Sequence, residues 1–232
     1  MARTRRSSGP GRQRRPFGDR PTKPVWLFAC EGRSSEPAYI QALSKLYSDF
    51  VSIKIVPDRG GDSHPTQVLQ RLTARRKELE SDSEDQDRYW CVIDVDPHAE
   101  PSRGHRITEL LERAGRENVG VVLSNPCFEH WLRQHISQYD GGFGTASEAV
   151  SDLQTAWEAD AGLPGRYDKA NARNARFDKL VTLDRVRQAA EHARKLHRQK
   201  GNAMTPDLCS PCATDFYRII EELEHLREAA NT

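Results

Sequence analysis

The chain has 232 residues, 36% hydrophobic and 30% charged, which suits one soluble domain with a real core, or a core domain with a small addition. No apolar run approaches the ~18 residues that a membrane-spanning helix needs, and the basic N-terminus has no apolar stretch behind it, so it does not read as a secretory signal. The net charge of +1 hides a split, because residues 1–23 carry eight Lys or Arg against one Asp and leave the remainder acidic.

Residues 1–23 are rich in Arg, Gly, Pro and Ser, a composition that predicts a basic arm without structure of its own until something binds it. Its Arg5, Arg6, Arg12, Arg14 and Arg15 suit phosphate contacts, although a solubilising tail would look the same. Val25 to Cys30 (VWLFAC) is a short continuous apolar run, as in a strand buried on both faces. It ends in Glu31-Gly32. A helix is predicted next, with Ser35 as its N-cap and Ala38, Leu43 and Leu46 at helical spacing. Val51 to Val56 alternates like a strand. Residues 57–65 form a Gly- and Pro-containing loop, and Thr66 opens a helix carrying Val68, Leu69, Leu72 and Leu79. Tyr89 to Val95 is the next strand and leads into Asp96. A helix over Ile107–Ala114, a fourth strand over Val119–Leu123 and a helix from Phe128 to Ile136 follow.

This β-α alternation predicts a mainly parallel four-stranded sheet flanked by helices over residues 24–140. Beyond residue 140 the pattern is helical at Ala146–Trp157, Leu180–His197 and Thr214–Ala230, with no convincing strand. Residues 141–232 are therefore expected to form a helical addition packed on the core.

Ligands of open parallel sheets sit at the carboxyl ends of the strands. Glu31 follows the first strand, and Asp94 and Asp96 end the third. Side chains alternate along a strand, which would point Asp94 and Asp96 to the same side. If the two strands are neighbours, about 4.8 Å apart, the three acids share a small volume. Crowded carboxylates raise one another's pKa, and a hard divalent cation relieves the repulsion. Oxygen-only donors favour Mg²⁺ or Mn²⁺, the ions of phosphodiester chemistry. An Asp-x-Asp pair alone is common and often only caps a helix.

Further candidates reach the same edge. Glu129, in Ser124-Asn125-Pro126-Cys127-Phe128-Glu129-His130-Trp131-Leu132, is either a metal ligand or a favourable charge in a first helical turn. Asn125 is placed to cap that helix, and His130 and His135 read as structural. Glu36 joins the acids or completes a capping interaction. Lys169, in Tyr167-Asp168-Lys169, suits a phosphate contact or a plain surface position. Of the five cysteines, Cys30, Cys91 and Cys127 read as buried, and Cys209 and Cys212 form a lone CxxC without the second ligand pair that zinc requires. The odd count without an export signal points to a reducing cytoplasm.

These residues resemble the RloB family. The resemblance runs in order over residues 24–226, through Cys30-Glu31-Gly32 with Glu36 and Tyr39, Val92-Ile93-Asp94-Val95-Asp96, the Ser124–Leu132 run, and Tyr167-Asp168-Lys169. The Ser124–Leu132 run is its most specific part. Two departures stand out: Ser35-Glu36 where Thr-Glu is usual, and Ser210-Pro211 with Thr214 where an Asn-Pro-x-Thr turn is usual. The family looks like a branch of the Toprim fold, found in topoisomerases, bacterial primases and overcoming-lysogenisation-defect nucleases. The resemblance implies a Rossmann-like Toprim core, Glu31 as general base or metal ligand, Asp94 and Asp96 holding Mg²⁺, and a nuclease role in bacterial defence against phage. The partners expected are DNA or RNA, with room for a partner defence protein or an oligomer, and no membrane. The alternative is a non-catalytic module that binds nucleic acid or a defence partner on the same core.

Overall fold

Six consecutive apolar residues leave a strand no wet face, and β1 (Val25–Cys30) is accordingly buried along almost its whole length. Its side chains alternate between two cores, with Trp26, Phe28 and Cys30 on one face and Leu27 and Ala29 on the other. The same division continues in β3 (Arg88–Asp94), where Trp90 and Val92 join the first core and Cys91 and Ile93 the second. With β2 (Ser52–Ile55), β4 (Gly120–Asn125) and β5 (Ala213–Thr214) these form a five-stranded sheet in the order β2-β1-β3-β4-β5. All pairings are parallel except β4 with β5. The computed structural model describes residues 23–58, 64–79, 86–96, 101–140, 142–172, 177–199 and 213–231. The candidate arginines of the N-terminal arm, and Cys209 and Cys212, lie outside them.

Helices cover both faces, as the twofold burial of the strands requires. α2 (Pro65–Leu79) and α3 (Arg103–Arg116) press Val68, Leu69, Leu72, Ile107 and Leu110 onto one face. The other face takes α1 (Ser35–Leu46), through Tyr39, Ile40 and Leu43, and the short α4 (Glu129–Gln134) through Trp131 and Leu132. The later helices complete that same core. α5 (Ala146–Ala159), α6 (Phe177–Leu180), α7 (Leu183–Gln199) and α8 (Tyr217–Ala230) contribute Leu153 and Trp157, Phe177 and Leu180, Val186 and Ala189, and Ile219 and Ile220.

The structure corrects three sequence-based expectations. The sheet has five strands, because a fifth forms from the late segment expected to be wholly helical. It spans two residues, too few to show a period, and its register is extended by Asp215. That residue's N–H donates to the Leu123 carbonyl at 3.1 Å, and its carboxylate accepts the Leu123 N–H. Ser35 is not an N-cap. Ser34 holds that position, and the Ser35 hydroxyl is used elsewhere. Asn125 does not cap α4 either, since that helix starts at Glu129 with Phe128 before it, and the Asn125-Pro126 bond is cis.

Candidate acidic site at the strand switch point

From β1 the chain runs outward to β2, then returns to lay β3 on the opposite side of β1. Where neighbouring strands lead their connections apart, a crevice opens beyond their carboxyl ends. β1 and β3 are such a pair, with Cys30 opposite Val92. Glu31 keeps the register one residue further, its N–H donating to the Val92 carbonyl at 3.0 Å. Glu31 Oε2 then accepts the Asp94 N–H at 3.2 Å. The two strand tips thus bring the first and second candidate acids together.

Arg103, a residue the sequence reading passed over, joins them. Its Nη2 donates to Glu31 Oε2 at 2.6 Å and to the Asp94 carbonyl, and its Nε donates to the Val95 carbonyl at 3.2 Å. The one signal that marks it depends on knowing where α3 starts. Arg103 is the first residue of α3, and a cation in a first helical turn opposes the helix dipole, so it needs an acidic partner outside the helix.

Gly32 makes the next turn. Its N–H donates to Glu36 Oε1 at 3.0 Å, and a Cβ on it would lie 2.2 Å from both Glu36 carboxylate oxygens. Only a residue without a side chain lets Glu36 fold back in this way. The candidate capping role of Glu36 is therefore present, and the same contact delivers its carboxylate to the crevice.

Glu129 is fully buried and richly served. Ser35 Oγ and Tyr167 Oη donate to its Oε1 at 3.0 and 2.6 Å, and Lys169 Nζ donates to its Oε2 at 2.8 Å. These partners come from α1 and from the loop after α5, so the helical half of the chain supplies part of the site. The Lys169 side chain remains 45% exposed.

Ionisation differs sharply among these acids. Burial pushes Asp94 well above the usual carboxylate range, and Glu36, Glu129 and Glu31 push it further. Burial and then the Glu129 charge raise Glu36 to about 7. Burial raises Glu31 too, with the bonds and charge of Arg103 opposing. Burial also works against Glu129, but the Lys169 charge and the bonds from Lys169, Tyr167 and Cys127 outweigh it and hold this carboxyl below its ordinary value. Lys169 is raised in turn, the pull of Glu129 overcoming its own desolvation.

Asp96 stands apart. β3 ends at Asp94, so the strand alternation expected to align the two aspartates does not reach Asp96. It sits at φ +29° with its N–H donated to the Pro126 carbonyl at 2.9 Å. His130 and His135 are buried inside the fold. His130 contacts the Asn125 carbonyl and Gln134, and His135 contacts Tyr39 and the Trp131 carbonyl. Burial lowers His135 to about 3, so it is neutral.

In donor type, Glu31, Glu36 and Asp94 suit a hard divalent cation: all are oxygen ligands, and burial raises all three, with neighbouring acids adding to the rise for Glu36 and Asp94 only. In arrangement they are not yet assembled. Among the described residues no group of three or more His, Cys, Asp or Glu side chains is placed to hold a metal ion. Arg103 occupies Glu31 and Lys169 occupies Glu129.

These observations define a class: a mostly parallel α/β protein with a cluster of acids at the switch point of its sheet. The model of the RloB-like protein family matches residues 26–223, and the chain belongs to that family. No curated protein matches it, and no solved structure does. Among the described residues no helix is long and apolar enough to cross a membrane.

Proposed function

We propose that this chain is a divalent-cation-dependent nuclease with a Toprim-like core, acting in bacterial defence as the family resemblance implies. The observation that carries this reading is the contact of Glu31 with the backbone of Asp94 across β1 and β3 at the carboxyl edge, with Glu36 folded toward the same crevice. Glu31, Asp94 and Glu36 would hold Mg²⁺ or Mn²⁺, with Asp96 available from the following loop. The bound cation would supply Lewis acidity to a phosphodiester and its leaving oxygen.

The chain's own groups perform the remaining tasks. In the alternative role that the resemblance implies, Glu31 would accept a proton from an attacking water instead of ligating the cation. Glu129, saturated by Ser35, Tyr167 and Lys169, anchors rather than reacts. An ammonium has three donors, so the single bond to Glu129 leaves Lys169 two for a phosphate oxygen. Arg5, Arg6, Arg12, Arg14 and Arg15 would add sequence-independent attraction to the nucleic-acid backbone.

The test is cleavage of mixed DNA and RNA pools with Mg²⁺ or Mn²⁺ by wild type, Glu31→Gln and Asp94→Asn. The expected result is cutting by wild type and a loss of about 100-fold or more in each variant, the scale of a lost catalytic proton transfer. Equal cutting by all three removes the proposal.

A second reading, a module that binds nucleic acid or a defence partner without cutting, is favoured by one observation: Arg103 already neutralises Glu31. It predicts no heat on titration with Mn²⁺, and salt-sensitive nucleic-acid binding that disappears when residues 1–23 are deleted.

A further inference from the structure

Arg103 is buried where a free guanidinium would be costly, with 8% of its side chain exposed against 11% for Glu31. Its anchors are of two kinds. The carbonyls of Asp94 and Val95 hold it to the backbone of the β3 tip, and one carboxylate oxygen holds it to Glu31. That oxygen, Oε2, also accepts the Asp94 N–H. A divalent cation needs ionised carboxylate oxygens with lone pairs to give, and here the Arg103 guanidinium and the Asp94 N–H already share Glu31 Oε2. The positive charge that the acidic cluster calls for is partly supplied from within the chain.

We propose that Arg103 is an internal counter-ion that competes with a divalent cation for Glu31, so that the cluster loads only when the guanidinium leaves Glu31 Oε2. The inference rests on the metal reading above and adds the residue that regulates loading. The two carbonyl bonds are already made and can remain when Arg103 lets go of Glu31, so its donors keep partners on release although its charge loses its carboxylate. A latch closed about 90% of the time lowers the apparent affinity for the ion about tenfold.

The test is calorimetric titration of Mn²⁺ into the metal-free full chain, with thermal unfolding followed in parallel. Arg103→Gln is expected to bind Mn²⁺ about tenfold more tightly than wild type. Arg103→Lys, the gentler change for folding, keeps the charge without the planar fork that spans carboxylate and carbonyls, so its affinity is expected to rise by less. In a Glu31→Gln background the Arg103→Gln change is expected to have no effect on Mn²⁺ binding. Unchanged or weaker Mn²⁺ binding by folded Arg103→Gln, or by Arg103→Lys if the first variant does not fold, overturns the latch. If wild type binds Mn²⁺ and the Arg103 variants bind it equally, the latch alone fails. If neither wild type nor variants bind it, the metal reading fails with it.

Discussion

Glu129 and Asp94 belong to the same sheet edge, and both suffer desolvation, yet they ionise in opposite senses. Glu129 is fully buried and still held below its ordinary pKa, because two hydroxyls and an ammonium are directed at its oxygens. Asp94 has one carboxylate oxygen satisfied by the Phe128 N–H at 2.8 Å, while its strongest electrostatic neighbours are other acids, and it is pushed up. The difference teaches that burial alone does not mark a reactive acid. What would mark it is burial without a matched partner, and by that criterion Asp94 and Glu36 are the candidates for the reactive end that the proposed function needs, with Glu129 as a candidate support.

The comparison can be broken most directly at Lys169. Lys169→Met leaves a fully buried carboxylate with only hydroxyl and thiol donors, and because the Lys169 side chain is 45% exposed and its charge partly screened, a loss of about 2 kcal/mol in urea unfolding is expected at neutral pH. A loss near zero would mean that Glu129 does not depend on that charge. Tyr167→Phe removes one hydrogen bond to the ionised Glu129 and is expected to cost about 2 kcal/mol in the same measurement. Asp94→Asn should move the other way. It keeps an oxygen for the Phe128 N–H and removes a disfavoured charge, so metal-free protein is expected to gain on the order of 1 kcal/mol while losing cleavage.

The pH slope offers a further test. Glu36 and Asp215 are both raised to about 7, in each case by burial first. A raised carboxyl pKa means that the folded state holds its proton more tightly than the unfolded chain does. Stability of metal-free protein therefore rises as pH falls from about 7 toward the ordinary value near 4.5, and each group contributes a slope of at most about 1.4 kcal/mol per pH unit. Melting temperatures across that range should show it, and Glu36→Gln should flatten it. A melting temperature that falls steadily over the same range would contradict the assignment.

Much of the fold was legible because fully buried strands announce themselves. VWLFAC, the run leading to Asp94 and the run Val119–Leu123 are apolar stretches, and Glu31 and Asp94 lie at the carboxyl ends of neighbouring parallel strands, where such a sheet places its ligands. β5 was not legible, since a two-residue strand has no period and owes its place to β4. The alternation used to align Asp96 with Asp94 does not reach it, because β3 ends at Asp94. Glu36, Glu129 and Lys169 were visible as charges near the site, but the pairing of Glu129 with Ser35, Tyr167 and Lys169 spans sequence separations of up to 94 residues, which no local pattern encodes. Arg103 was hidden for a different reason. In a chain with 35 Lys and Arg, one more arginine carries no signal until the helix it opens is known.

The Glu129 carboxylate also fastens the molecule. It sits in α4, takes one bond from the first turn of α1 and two from the loop after α5, and so rivets together three stretches of chain that are remote in sequence. Peeling any one of them away breaks a bond to that buried carboxylate and leaves its charge less well served. Backbone amides flanking Ser35, Glu129 and Tyr167 should therefore exchange with solvent deuterium through one shared opening rather than three independent ones, which makes this corner a cooperative unit of the fold.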